Sequence, residues 1–131
     1  DSVAEWGNEL LALDHLVVEG FIERKLRQLA TENGAAPEKD WRSLKILEVT
    51  LQAMGMTEVD ARATVAPLRE LHNLRNPAKA HGDPVGREAA VRDARATYGS
   101  LRAHTKDLAA RCDTSMMKII SVLTGNIETG D

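Results

Sequence analysis

Apolar residues recur at steps of three and four along nearly the whole chain, a spacing typical of amphipathic helices. The first run follows Ser2 and Glu5, which form a capping-box pattern, and continues to Gly34, so it predicts one long helix. A second helix is predicted between Asp40, a favourable N-cap residue, and Gly55, which suits a helix end. The apolar positions of the first helix are Trp6, Leu10, Leu13, Val17, Phe21, Ile22, Leu26 and Leu29.

The second half of the chain predicts three further helices. The third begins after Thr57 as its cap and should end at Pro77, because proline lacks a backbone donor and disfavours helical geometry in the residue before it. The fourth should begin at Asp83 and Pro84 and exceed 25 residues. A short fifth helix is predicted for residues 115–123, before the turn sequence at 124–126.

No segment has the alternating pattern of a strand, so the predicted fold class is all-α, an antiparallel bundle of four to five helices. At 131 residues, the chain suits a single domain spanning 1–131. It begins with Asp1 rather than Met, which suggests a fragment of a longer chain. No apolar run approaches the roughly 20 residues of a membrane span and no signal peptide begins the chain, so we expect a cytoplasmic protein without membrane contact.

Charge is unevenly distributed along the chain, although the net charge is only −3. Residues 62–111 carry ten basic and five acidic side chains, whereas residues 1–61 carry six basic and twelve acidic ones. A basic segment in an acidic protein suits a phosphate-binding surface, because affinity for nucleic acid follows local charge. The alternative is a solvated helix face without a ligand.

The segment from Leu74 to Gly82, LRNPAKAHG, brings together the most promising chemical groups. Arg75 is predicted on the last turn of the third helix, and His81 just before the fourth, with a short loop between them. A guanidinium can neutralise a phosphoryl group, an imidazole can transfer protons, and Asn76 could position a hydroxyl. The catalytic candidates are therefore Arg75, Asn76 and His81.

Further basic side chains surround this segment. His72 precedes Arg75 by three residues, and Lys79 lies between Arg75 and His81. The candidate substrate-binding residues are His72, Lys79 and Arg69. No metal site is predicted, because the sequence lacks a zinc motif, and it also lacks a phosphate loop and a serine-nucleophile turn.

This segment resembles the catalytic motif of the HEPN superfamily, all-helical domains common among prokaryotic toxins and defence proteins, in which four to six residues separate Arg from His. Here five residues separate Arg75 from His81, Asn76 follows the arginine, and Gly82 follows the histidine. Pro77 departs from the family pattern, in which helix-compatible residues are common at this place. The resemblance covers about nine residues and the helical architecture.

The resemblance implies metal-independent endoribonuclease activity on RNA, without a cofactor, that leaves 2′,3′-cyclic phosphate ends. It implies that His81 transfers a proton, Arg75 stabilises charge on phosphate and Asn76 orients the backbone or the hydroxyl. It also implies a homodimer, because HEPN ribonucleases pair two motifs across a two-fold axis and this chain has one copy. An antitoxin or a fused sensor domain would be a further partner.

Two other classes of function stay open at the level of sequence. One is a non-catalytic HEPN-like module that binds RNA, nucleotide or a protein partner. The other is a structural or regulatory helical bundle within a larger protein. The paucity of aromatic residues, only 3% of the chain, argues against sequence-specific recognition of single strands by base stacking.

Overall fold

A computed structural model of the chain describes residues 1–17, 23–79 and 84–125. These residues form six helices and no strand, which confirms the predicted all-α bundle with one helix more than the largest predicted number. The helices are α1 (Val3–Val17), α2 (Glu23–Glu32), α3 (Ser43–Ala53), α4 (Glu58–Lys79), α5 (Pro84–Tyr98) and α6 (Leu101–Leu123).

Helix α4 is the centre of the bundle, because it packs against α1, α3, α5 and α6. Its buried stripe consists of Ala61, Val65, Leu68 and Leu71, spaced by three and four residues and closed to solvent. Helices α1, α3 and α6 supply most of the other fully buried side chains of the same cluster. Burial of each large aliphatic side chain contributes about 1.5–3 kcal/mol, so the stripe contributes several kcal/mol to the stability of the fold.

The predicted first helix corresponds to two helices in the described part of the chain. Helix α1 packs against α4 and α6, whereas α2 packs against α3. Residues 18–22, which include the apolar positions Phe21 and Ile22, lie outside the described residues. The predicted end near Gly34 is confirmed, because α2 ends at Glu32 and Gly34 has a φ of 88°.

The prediction that Asp40 caps the second helix was wrong. Helix α3 begins at Ser43, with Arg42 as an N-cap whose side chain makes no capping hydrogen bond. The guanidinium of Arg27 donates to the backbone carbonyls of Glu38, Lys39 and Trp41. Because these carbonyls accept from a side chain of α2, Lys39 and Asp40 form a turn and the chain is extended at Arg42 before α3 begins, which no local pattern predicts.

The predicted end of the third helix at Pro77 was also wrong, because α4 continues to Lys79. Proline removes one backbone hydrogen bond, but its φ is compatible with a helix. Pro67 lies inside the same helix, so packing on four neighbours maintains α4 through two prolines. The cap at its start was predicted correctly, since Thr57 Oγ1 accepts a hydrogen bond from Asp60 N at 3.1 Å.

The predicted boundary between the last two helices was wrong, because α5 ends at Tyr98 and α6 begins at Leu101. The chain breaks at Gly99, whose φ is 88°, and Ser100 Oγ then accepts a hydrogen bond from Ala103 N at 3.0 Å. Helix α6 therefore begins at Leu101 and runs without a break through Ser115 to Leu123. A glycine with positive φ followed by a serine cap is a strong break, and it outweighed the continuous apolar stripe.

A buried polar contact joins α1 to α6. Trp6 Nε1 donates a hydrogen bond to His104 Nδ1 at 3.1 Å, and the two residues are 1% and 3% exposed. Tyr98 packs edge-on against the imidazole, with ring centroids 5.1 Å apart. Because Nδ1 accepts, the neutral ring carries its proton on Nε2. Burial lowers the pKa of His104, with nearby charges adding smaller and partly opposing effects.

Because burial lowers the pKa of His104, we expect the folded chain to lose stability in mild acid. Its pKa is lower in the folded chain than in the unfolded chain, so the unfolded chain binds the proton first as the pH falls below about 6.5. Between pH 7 and 5, the free energy of unfolding should decrease by up to about 1.4 kcal/mol per pH unit from this group. His104→Gln retains an acceptor for Trp6 but does not titrate. Denaturant unfolding across this range should give a shallower pH dependence for the variant, and parallel curves would contradict the prediction.

Candidate functional site

An open groove of about 670 Å³ lies between the start of α3 and the middle of α4. Among the residues that the structure describes, seven from these two segments line it, and we call it the α3–α4 groove. They are Arg42, Ser43, Leu44, Lys45, Arg69, His72 and Asn73. Three of them are Arg or Lys and none is acidic, so the groove presents positive charge in a protein whose net charge is negative.

The wall formed by α3 combines side-chain and backbone donors. The groove contains Ser43 and Leu44, the first two residues of the helix, where backbone N–H groups have no partner within the helix. Arg42 supplies charge at the N-cap position without capping these groups itself. Lys45 places its Nζ 5.4 Å from the centre of the Trp41 ring, a cation–π contact that restrains the side chain. The start of α3 is therefore suited to an anion.

The wall formed by α4 contains Arg69, which is already paired. Its Nη2 lies 3.2 Å from Glu48 Oε2, and Arg62 Nε lies 3.6 Å from Glu48 Oε1. The carboxylate of Glu48 is 7% exposed, whereas the Arg69 side chain is 37% exposed. Glu48 therefore holds Arg69 from the protein side, and part of the guanidinium remains open to the groove.

His72 lies next along the same wall, in contact with a buried acid. Its Nδ1 is 3.4 Å from Asp14 Oδ1, a distance typical of an ion pair, although the two atoms are not aligned for a hydrogen bond. Asp14 is on α1 and its side chain is fully buried, whereas the His72 side chain is 41% exposed. One edge of the imidazole thus faces the protein interior and the rest of the ring borders the groove.

Two of the six site residues predicted from the sequence, Arg69 and His72, line the groove. Arg75, Asn76 and Lys79 belong to the last turns of α4, but their side chains lie outside the described residues. His81 lies outside them entirely. The spacing of Arg75 and His81 in the fold, on which the predicted chemistry depends, stays a prediction.

Several residues of the groove were not predicted from the sequence. Arg42 and Lys45 were missed because the start of the second helix was placed at Asp40. Asp14 had a detectable signal, since it is an acid within the apolar stripe of α1, four residues after Leu10. Such an acid on a buried helix face indicates a specific partner, but the partner itself comes from α4 and no local pattern identifies it.

A second group of charges joins α4 to α6 on another side of the bundle. The guanidinium of Arg111 donates to carboxylate oxygens of Glu70 and Asp107 and to the hydroxyl of Tyr98. The hydrogen bond to Glu70 is the main cause that raises the pKa of Arg111, and the hydrogen bond from Arg111 is the main cause that lowers the pKa of Asp107. These charges satisfy one another, so the cluster is a structural contact between helices.

Within the described ranges, no three His, Cys, Asp or Glu side chains are arranged to hold a metal ion. No helix of these ranges is long and apolar enough to cross a membrane. The chain matches no protein-family model, no curated protein and no solved structure.

Because Glu48 is buried, we expect its ion pairs to stabilise the fold more than the ion pair of an exposed acid does. Glu48→Gln removes the charge that holds Arg62 and Arg69, and we expect the free energy of unfolding to fall by about 1.5–3 kcal/mol. The matched control is Glu58→Gln, because Glu58 pairs with Arg62 but is 71% exposed. This variant should lose less than about 1 kcal/mol. Urea denaturation measures both, and equal losses would contradict the prediction.

Proposed function

We propose that this chain is a metal-independent endoribonuclease of HEPN type that cleaves RNA to 2′,3′-cyclic phosphate ends, in a toxin or defence context. The observation that supports this most is the basic α3–α4 groove, because two of its residues, Arg69 and His72, lie on the same helix as the motif residues Arg75 and Asn76. Arg75 follows His72 by three residues, about 4.5 Å further along the helix axis. The groove thus leads along α4 toward the sequence motif.

The chemistry of the groove fits a polyanionic strand. Guanidinium groups can bind phosphate oxygens through two parallel hydrogen bonds, and Lys contributes a point charge. Arg42 and Lys45 on one wall and Arg69 on the other would contact successive phosphates of a bound RNA. In this proposal, His72 and Lys79 complete the binding surface.

Cleavage is assigned to the motif at the end of α4. Arg75 would stabilise the charge that develops on the scissile phosphate, Asn76 would orient the reacting hydroxyl or the backbone, and His81 would transfer a proton. One chain carries one copy of the motif, so the proposal includes a homodimer that brings two copies together. An antitoxin or a fused sensor domain would control such an activity.

The ribonuclease proposal predicts that the purified protein cleaves mixed RNA in the presence of a metal chelator. Arg75→Ala and His81→Ala should each reduce the cleavage rate by at least about 100-fold, the usual effect of losing a proton-transfer or charge-stabilising group. Arg24→Ala, which removes an exposed arginine from α2, serves as the matched control and should leave the rate unchanged. Mass spectrometry of the product ends should find 2′,3′-cyclic phosphate. Intact RNA with a folded wild type would contradict the enzyme proposal and favour a binding module.

The groove also predicts the salt dependence of RNA binding. Each phosphate contact on a single strand contributes about 0.7 to the slope of log affinity against log salt concentration. The double variant Arg42→Ala, Lys45→Ala should therefore reduce the slope by about 1.4. Fluorescence anisotropy with a 2′-O-methyl oligonucleotide, which lacks the attacking hydroxyl, measures binding without cleavage.

The matched control for this measurement removes the same charge from an exposed site. Arg24 and Lys25 are adjacent exposed residues on α2, outside the groove. The double variant Arg24→Ala, Lys25→Ala should leave the slope within error of the wild type. Equal reductions in the two double variants would show that binding follows total charge rather than the groove.

A further inference from the structure

Asp14 is the most unusual acid in the described part of the chain. Its side chain is fully buried, on the face of α1 that also carries Leu10 and packs against α4. Burial of a carboxylate costs several kcal/mol unless charged or hydrogen-bonding groups compensate it. A buried acid that faces a histidine of the groove is a candidate for a functional role.

The geometry of the contact resembles the arrangement by which acids orient histidines in enzymes. Asp14 Oδ1 faces His72 Nδ1 at 3.4 Å, and His72 borders the α3–α4 groove. The two ring nitrogens lie on different edges of the imidazole, so Nε2 is available on the side away from Asp14. A carboxylate at Nδ1 fixes the tautomer and stabilises the imidazolium that forms when Nε2 takes a proton. Catalytic contacts of this kind are often long without substrate and shorten when it binds.

We propose that His72, on the α4 wall of the α3–α4 groove, is a proton-transfer residue for the RNA cleavage assigned above to the motif at the end of α4, and that Asp14 is its positioning residue; this rests on the ribonuclease function proposed above. Nε2 of His72 takes the proton of the attacking 2′-hydroxyl as the bond from O2′ to phosphorus forms. The bond from phosphorus to O5′ breaks, and the leaving oxygen takes the proton that His81 transfers in that proposal. His72 then releases its proton to water and His81 regains one from water, so the protein ends unchanged.

The charges around His72 suit this role. Asp14 approaches the ring from α1 with a negative charge, while Arg69 on α4 and two basic residues at the start of α3, Arg42 and Lys45, place positive charge in the groove. Glu48 neutralises part of the charge of Arg69 from behind. The cations of the groove can hold the phosphate while the neutral imidazole accepts the proton.

Kinetics of cleavage test the role of His72 directly. His72→Gln should lower kcat by about 100-fold or more, with KM changed less than about threefold, because it removes a proton acceptor and keeps a polar side chain. Asp14→Asn keeps the shape of the side chain without its charge and should lower kcat by about 10-fold or more. Asp93→Asn, an exposed acid on α5, is the matched control and should leave kcat unchanged. The rise of kcat with pH on the acid side should disappear in His72→Gln.

A second measurement does not depend on catalysis or on a variant that folds. Nitrogen-15 NMR of the wild-type histidines reports which ring nitrogen carries the proton in the neutral form. We expect the His72 proton on Nδ1, facing Asp14, whereas free imidazole side chains favour Nε2. A neutral His72 with its proton on Nε2 would overturn the assignment of Asp14 as its positioning residue.

The outcomes separate this inference from the proposal on which it rests. Cleavage that is lost in Arg75→Ala but keeps its rate and pH profile in His72→Gln would overturn the role of His72 and leave the ribonuclease proposal intact. A folded wild type that never cleaves RNA would overturn both. A similar loss of kcat in Asp14→Asn and Asp93→Asn would overturn the positioning role, because it would reflect charge at long range.

Discussion

The burial of one face of α4 against four other helices is the constraint on which the rest of this structure depends. Ala61, Val65, Leu68 and Leu71 occupy positions that only a continuous helix can align, so their packing maintains α4 through Pro67. The two flanks of α4 have different surroundings. One flank lies over α1 and its buried acid, and the other forms a wall of the basic groove.

Apolar packing alone would leave the helices free to slide, because it has no direction. In this bundle, polar contacts fix the register. The indole of Trp6 bonds to His104 between α1 and α6, and Arg111 connects α6 to Glu70 on α4. At the groove, Glu48 on α3 pairs in the same way with Arg69 on α4, so a polar contact also fixes the two walls of the groove relative to each other.

The sequence predicted the fold class and the glycine turns at Gly34 and Gly55, because periodicity and positive φ are local properties. It failed at Asp40, which lies in a turn whose neighbouring carbonyls accept hydrogen bonds from Arg27 of another helix. It failed again at Pro77, because propensity weighs less than tertiary packing. In each case the deciding partner is distant in sequence.

The same reasoning explains which parts of the site could be anticipated. Arg69 and His72 were found because they precede the motif on one predicted helix. The partner of His72 comes from α1, and the opposite wall comes from the start of α3, so neither followed from spacing along the chain.

Cys112 illustrates a separate consequence of burial. Its pKa is raised to about 11, mainly by desolvation, and its Sγ lies 3.6 Å from the Pro67 carbonyl between α6 and α4. Since it is the only thiol of the chain, its rate of alkylation in native buffer measures how often those two helices separate.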